Sequence, residues 1–179
     1  MNKGNVLYLM MGISGSGKST YAKQFTLKNN IQYISRDEIR FSLLQPTDNY
    51  FDKENEVMKV LRERTNLALK NGPTLVDSTN LSRKSRARLL NYIKTEYAAI
   101  VVLFVDTTVS TALERNALRE KRERVPNEEL IKMYSRIEIP CDNGEGINYL
   151  VTIAENDGIK ITKIKEAAVD DLFIKRLAF

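Results

Sequence analysis

Val6-Leu7-Tyr8-Leu9-Met10-Met11-Gly12-Ile13-Ser14-Gly15-Ser16-Gly17-Lys18-Ser19-Thr20 is the stretch from which the rest of the chain is read. Its first six residues are apolar without a break, the pattern of a strand covered on both faces, as in a parallel sheet. Gly12 to Gly17 ends that run, and Ser19 to Asn29 reads as a helix. Glycine, four residues, glycine, lysine and serine between a strand and a helix is the P-loop arrangement. Glycines let successive backbone amides curl around phosphate oxygens, and the helix N-terminus adds partial positive charge. A glycine-rich turn that merely joins strand to helix would not need the lysine and the serine as well. The loop predicts ATP contacts through Ser14, Gly15, Ser16, Gly17, Lys18, Ser19 and Thr20. Lys18 neutralises the β and γ phosphates in this reading, and the Ser19 hydroxyl ligates Mg²⁺.

Outward from this loop, strands and helices alternate. Ile31 to Ile34 is a short second strand, and Ser35-Arg36-Asp37-Glu38 has the form of a capping box opening a helix. Asp48 to Phe51 reads as a loop. From Lys53 to Lys70 the spacing of Val57, Val60, Leu61, Leu67 and Leu69 predicts a long amphipathic helix, ended by Asn71-Gly72-Pro73. Thr74 to Asp77 is a third buried strand. Ser82 caps a helix expected to run to about Tyr97, with Leu89, Leu90 and Ile93 on its apolar side. Ala98 to Val105 is the clearest central strand, and Ser110 to Glu120 is helical. Pro126 restarts a helix after the basic run, and Tyr149 to Ile153 is a fifth strand. Asp157-Gly158 then joins it to Ile159–Ile164 in a hairpin-like pattern, before a short C-terminal helix. No repeat or low-complexity linker interrupts the pattern. The expectation is one α/β domain over residues 1–179, an open parallel sheet with helices on both faces.

Composition narrows the chemistry. The 179 residues are 42% hydrophobic and 28% charged, ordinary for a soluble globular domain. The single cysteine, Cys141, excludes a disulfide framework and a multi-thiolate metal site within the chain. Histidine is absent, so any general base must be a carboxylate, lysine or tyrosine. A net charge of +5 is compatible with a polyanionic partner, although many soluble enzymes carry as much. Val6 to Met11 is too short to span a membrane and lacks a signal peptide's flanking features, so a cytoplasmic, reducing compartment is expected.

Ligands of open parallel sheets sit beyond the carboxyl ends of the strands. Asp37 and Arg40 follow the second strand and Asp77 closes the third, so all three should face the nucleotide. Asp37 is either the acceptor of a hydroxyl proton or a first-turn acid favoured by the helix dipole. Arg40, three residues on and on the same face, binds an acceptor phosphate or steers Asp37. Asp77 is a Mg²⁺-associated acid or a loop aspartate, and Thr79, Asn80 and Arg83 are candidate substrate contacts. Arg86 and Arg88 read as a solvated helix face. The cations of Arg119 to Arg124 fit a mobile lid over a transferring phosphate, spanning roughly residues 115–130. The other reading is an exposed helix end whose Glu120 and Glu123 pair with neighbours.

Several segments together resemble the polynucleotide 5′-kinase branch of the P-loop kinases. They are Gly12 to Thr20, Ser35-Arg36-Asp37-Glu38-Ile39-Arg40, Asp77-Ser78-Thr79-Asn80-Leu81, Arg115-Asn116, Arg124-Val125-Pro126 and Met133-Tyr134. The resemblance covers roughly residues 5–140 and implies a five-stranded parallel kinase sheet with a helical lid. It implies a nucleic-acid 5′-hydroxyl end as acceptor, ATP as donor and Mg²⁺ as cofactor. Asp37 would be the general base, Arg40 the contact to the acceptor's 3′-side phosphate, and Arg119 or Arg122 the lid arginine on the donor. The sequence shows neither an Asp-x-Asp-x-Thr phosphatase motif nor a Lys-x-Asp-Gly ligase motif, so a kinase-only chain is expected. A kinase of a sugar, nucleotide or nucleotide-sugar is the alternative, and a triphosphate-gated switch module is a third.

Overall fold

The computed structural model describes residues 5–120, 123–142, 144–154 and 158–167. Strand β1 (Val6–Met11) is followed by helix α1 (Lys18–Asn29), β2 (Gln32–Ser35), α2 (Arg36–Leu43), α3 (Glu54–Asn71) and β3 (Thr74–Asp77). Then come α4 (Arg83–Leu90), β4 (Ala99–Asp106), α5 (Val109–Ala117), α6 (Asn127–Ser135), β5 (Tyr149–Ala154) and β6 (Gly158–Lys163). They form one sheet in the order β2-β3-β1-β4-β5-β6. The first five strands pair in parallel, as expected, and β6 adds an antiparallel sixth at the edge of β5. The hairpin pattern around Gly158 is thus real, while the expected C-terminal helix falls outside the described residues.

Alternation along β1 explains its unbroken apolar run. Leu7, Leu9 and Met11 pack on one face with Val57, Leu61 and Leu69 of α3 and Leu89 of α4. Val6, Tyr8 and Met10 pack on the other with Ala22 and Phe25 of α1. Because β1 lies between β3 and β4, every one of its side chains is buried. The chain departs from β1 to one side of the sheet and later returns to its other side. The carboxyl end of β1 is therefore the switch point where a crevice opens.

Three local expectations need correction. Helix α4 stops at Leu90, well short of Tyr97. Asn66 of α3 reaches across and takes the polar groups that a longer helix would use. Its Oδ1 accepts from the Lys94 and Thr95 amides at 2.7 and 3.1 Å, and its Nδ2 donates to the Tyr92 carbonyl at 2.9 Å. Leu67 is exposed rather than on the apolar side of α3. Arg86 is not on a solvated face; its side chain is fully buried. Among the described residues no helix is long and apolar enough to cross a membrane.

Candidate active site

The loop from Gly12 to Gly17 is braced from both sides. The Gly12 amide donates to the Thr79 carbonyl at 3.1 Å, and Thr107 Oγ1 donates to the Ser16 carbonyl at 3.2 Å. Gly15 has φ +81°, and a Cβ there would run into the Ala112 carbonyl of α5. Gly17 caps α1 at φ 90° without any side-chain hydrogen bond. The first-turn N–H groups of α1 therefore have no side-chain acceptor, the condition in which a helix N-terminus takes an anion. The buried Ser16 hydroxyl likewise lacks a hydrogen-bond partner among the described residues.

Lys18, the first residue of α1, is buried, and its Nζ donates to the Ile13 carbonyl at 3.1 Å. Burial pulls this ammonium below its usual range, against the opposing pull of the Asp77 and Asp37 carboxylates. Ser19 is half-buried beside it, and Thr20 is exposed further along the helix. Lys18 and Ser19 border a cleft of about 290 Å³ shared with Asp37, Asp77 and Thr79. Arg119, Arg124, Pro126, Met133 and Arg136, which follow α5 in the chain, also border it. A larger groove of about 750 Å³ follows the outer face of α3 along Lys59, Arg62 and Tyr92, and no P-loop residue reaches it.

Asp37 occupies the first turn of α2, whose N-cap Ser35 accepts the Glu38 amide at 3.2 Å. Its Oδ1 accepts from Arg40 Nη1 at 2.8 Å and from the Tyr50 hydroxyl at 2.7 Å. Its Oδ2 has no hydrogen-bond partner among the described residues. Arg40 is brought to Asp37 as the helical spacing requires, yet only 2% of its side chain is exposed. Its guanidinium lies 4.2 Å from the centre of the Tyr50 ring and pairs with Glu54, which also pairs with Arg36. Burial alone would raise the Glu54 carboxyl, but Arg36 and Arg40 prevail and hold it below the usual carboxylate range. The Tyr50 hydroxyl is pushed up by burial and by the neighbouring Asp37.

Asp77 is buried at the end of β3, where its Oδ2 accepts from the Tyr33 hydroxyl at 2.8 Å. Asn80 does not border the cleft. It is buried in a left-handed conformation, φ 43°, with Nδ2 donating to the Met10 carbonyl at 2.8 Å. Arg83 is also away from the cleft, exposed at the start of α4, where its amide donates to Glu138 at 2.7 Å. Arg119 reaches the P-loop directly, with Nη1 donating to Ser14 Oγ at 2.8 Å. Arg122 lies outside the described residues. Asn116 of α5 exchanges two hydrogen bonds with the Val125 backbone, at 2.7 and 3.1 Å.

Sequence reading missed Tyr33, Tyr50 and Glu54 as the partners of Asp77, Asp37 and Arg40. Two adjacent aromatics, Tyr50-Phe51, within a polar loop were the available signal for one of them. The others are partners across elements, and nothing local marks them.

The family described as AAA domain (AAA_33) matches residues 7–140 of this chain. A protein of Autographa californica nuclear polyhedrosis virus, described as a bifunctional polynucleotide kinase/RNA ligase, is 33% identical over 144 residues. That match covers 73% of this chain and 20% of the viral protein, so the chain spans about a fifth of that relative's length. L-seryl-tRNA(Sec) kinase of Methanococcus maripaludis is 24% identical over 183 residues, covering 89% of this chain and 70% of its own. A chain in the structure of the Pnkp1/Rnl/Hen1 RNA repair complex superposes with a TM-score of 0.64 at 26% identity. It covers 76% of this chain and 45% of that one.

Proposed function

The chain belongs to the AAA domain family of P-loop kinases, and from that premise we propose that it phosphorylates the 5′-hydroxyl end of a polynucleotide, with ATP as donor. The observation that carries this reading is the half-committed Asp37 carboxylate beside the P-loop. One oxygen is saturated by Arg40 and Tyr50, and the other is left to receive a proton. The acceptor oxygen attacks the γ-phosphorus as its proton passes to Asp37 Oδ2, and the bond to the bridging oxygen of the departing ADP breaks in line. Lys18 and Arg119 hold the donor phosphates through this charge redistribution.

The residues present fit Mg²⁺, since the Ser19 hydroxyl and the buried Asp77 carboxylate bring hard oxygen donors to the same cleft as Lys18. When bound with the triphosphate, the ion supplies further neutralisation of the phosphate oxygens. Tyr33 fixes the orientation of Asp77 from the neighbouring strand.

Arg40 acts through Asp37 in this scheme. Its guanidinium is enclosed by Asp37, Tyr50 and Glu54 and has little surface left for a phosphate. Contact with the acceptor strand falls instead to Arg136, exposed at the C-terminal end of α6 on the cleft's border. A second reading is a hydroxyl other than a polynucleotide 5′ end, and the similarity to the seryl-tRNA kinase, 70% of whose length is matched, supports it.

Labelled-phosphate transfer from ATP to a 5′-hydroxyl oligonucleotide, run beside a panel of small hydroxyl acceptors, tests the proposal. Transfer to the oligonucleotide that weakens with salt is expected. Turnover of small acceptors alone would reverse it.

A further inference from the structure

Phe51 stands out among the exposed apolar side chains because 69% of its surface is open and it borders the same cleft as Asp37. Leu27 and Leu118 are more exposed, but they are aliphatic and lie outside that cleft. An open aromatic ring beside a catalytic carboxylate forgoes the gain of burial unless a ligand covers it.

The ring does not sit on a loose loop. Tyr50 meets it edge to face, with centroids 5.0 Å apart and planes at 86°. Tyr50 is itself fixed by its hydroxyl on Asp37 and by the Arg40 guanidinium over its ring. The surrounding turn is tied as well. The Asn49 amide donates to Asp52 Oδ2 at 2.8 Å, the Asp52 amide returns to the Asn49 carbonyl at 3.0 Å, and Lys53 Nζ donates to the Leu43 carbonyl at 2.8 Å. The phenyl group is thus positioned relative to the proposed base through a chain of named contacts. Val125, Pro126 and Met133 add apolar surface to the same cleft.

We propose that Phe51 is a stacking platform for the nucleobase of the acceptor's terminal nucleotide. This inference rests on the polynucleotide reading above. A small hydroxy-acid acceptor is recognised through its hydroxyl and charge, which a phenyl face does not serve. A nucleobase offers a π-face whatever its identity, so stacking holds the end of a strand without selecting its sequence. Through Tyr50, the same contact sets the distance from the terminal sugar to Asp37 Oδ2.

The test uses two 5′-hydroxyl oligonucleotides of equal length, one ending in a base and one ending in an abasic residue. Alanine substitution at a stacking site costs ~1–3 kcal/mol per base. Phe51→Ala should therefore raise KM for the base-bearing strand by about five- to 150-fold. Its KM for the abasic strand should match wild type, and Phe51→Tyr should behave as wild type on both. A 5′-terminal 2-aminopurine should lose fluorescence on binding wild type and not on binding Phe51→Ala, a readout independent of turnover. Thermal shift with ATP checks that Phe51→Ala is folded. If wild type phosphorylates the oligonucleotides but Phe51→Ala weakens both equally, or neither, the stacking role is overturned and the polynucleotide reading stands. If wild type phosphorylates no oligonucleotide, that reading fails and the stacking role fails with it.

Discussion

Asp37 and Asp77, the two aspartates that border the cleft, are each held by a tyrosine from a different element, Asp37 by Tyr50 and Asp77 by Tyr33. In the proposed mechanism this arrangement separates orientation from reaction, because one Asp37 oxygen is occupied and the other has no partner among the described residues. Asp37→Asn keeps the shape and removes the basic oxygen. It should lower phosphoryl transfer at least a hundredfold, the ordinary scale of general-base catalysis, while ATP affinity measured by titration persists. Unchanged turnover would remove Asp37 from the mechanism. Glu54 makes a second prediction with a definite sign. Its folded-state carboxyl lies below the usual 4.5, so its contribution to stability is complete above that pH. The contribution is then lost as pH falls through the lower, folded value. Glu54→Gln should therefore cost stability at neutral pH and flatten the acid limb of the Tm profile below about pH 4.5. The proximity of Asp37 and Arg40 was legible from their spacing of three residues. Their enclosure was not, because Tyr50 and Glu54 come from the next loop and helix.

At the scale of elements, the basic lid and helix α4 show where local reading succeeds and fails. Arg119 was singled out from a basic run between two helix signals, and its side chain does reach the P-loop at Ser14. Arg86 was misread, since its partner Glu145 lies 59 residues away in a loop with no pattern of its own. The pair makes two hydrogen bonds, at 2.7 and 2.9 Å, and Arg86 also donates to the Asn80 and Glu138 carbonyls at 3.1 and 2.9 Å. It thereby ties the start of α4, the loop after β3 and the segments after α6 into one unit. Glu145→Ala leaves a fully buried guanidinium without its counter-ion, and breaking such a pair costs ~3–5 kcal/mol. For a chain of this size the Tm should fall by roughly 10 °C. Replacing both partners, Arg86→Met with Glu145→Leu, should recover part of that loss, because the stranded charge is gone. A double variant no more stable than Glu145→Ala would show that the carbonyl contacts of Arg86 matter more than its ion pair.

Across the whole molecule, the fold was legible because the strands announce themselves. β1 and β4 are nearly continuous apolar runs that a parallel sheet must bury on both faces, β3 is a short buried strand ending on an acid, and the glycine loop marks where the sheet's order reverses. The acceptor was less legible, since relatives sharing this frame carry names with different acceptors. What the frame does impose is a cost concentrated at the switch point. It holds a helix N-terminus without a side-chain cap, a Ser16 hydroxyl with no partner among the described residues, and a buried ammonium whose burial disfavours its charge. Each of these is unfavourable in the free protein and is answered by a polyphosphate. Lys18→Met keeps the aliphatic stem and removes the buried charge. Without nucleotide, this variant should be at least as stable as wild type, because the desolvation of the ammonium is gone. Nucleotide at a hundred times its dissociation constant should stabilise wild type by ~2.7 kcal/mol, a rise in Tm of several degrees. The variant should show little of that rise. A Lys18→Met protein that is markedly less stable on its own would mean that the ammonium's hydrogen bond to the Ile13 carbonyl and its attraction to the Asp77 and Asp37 carboxylates outweigh its burial. The loop would then be a structural tie first and a phosphate site second.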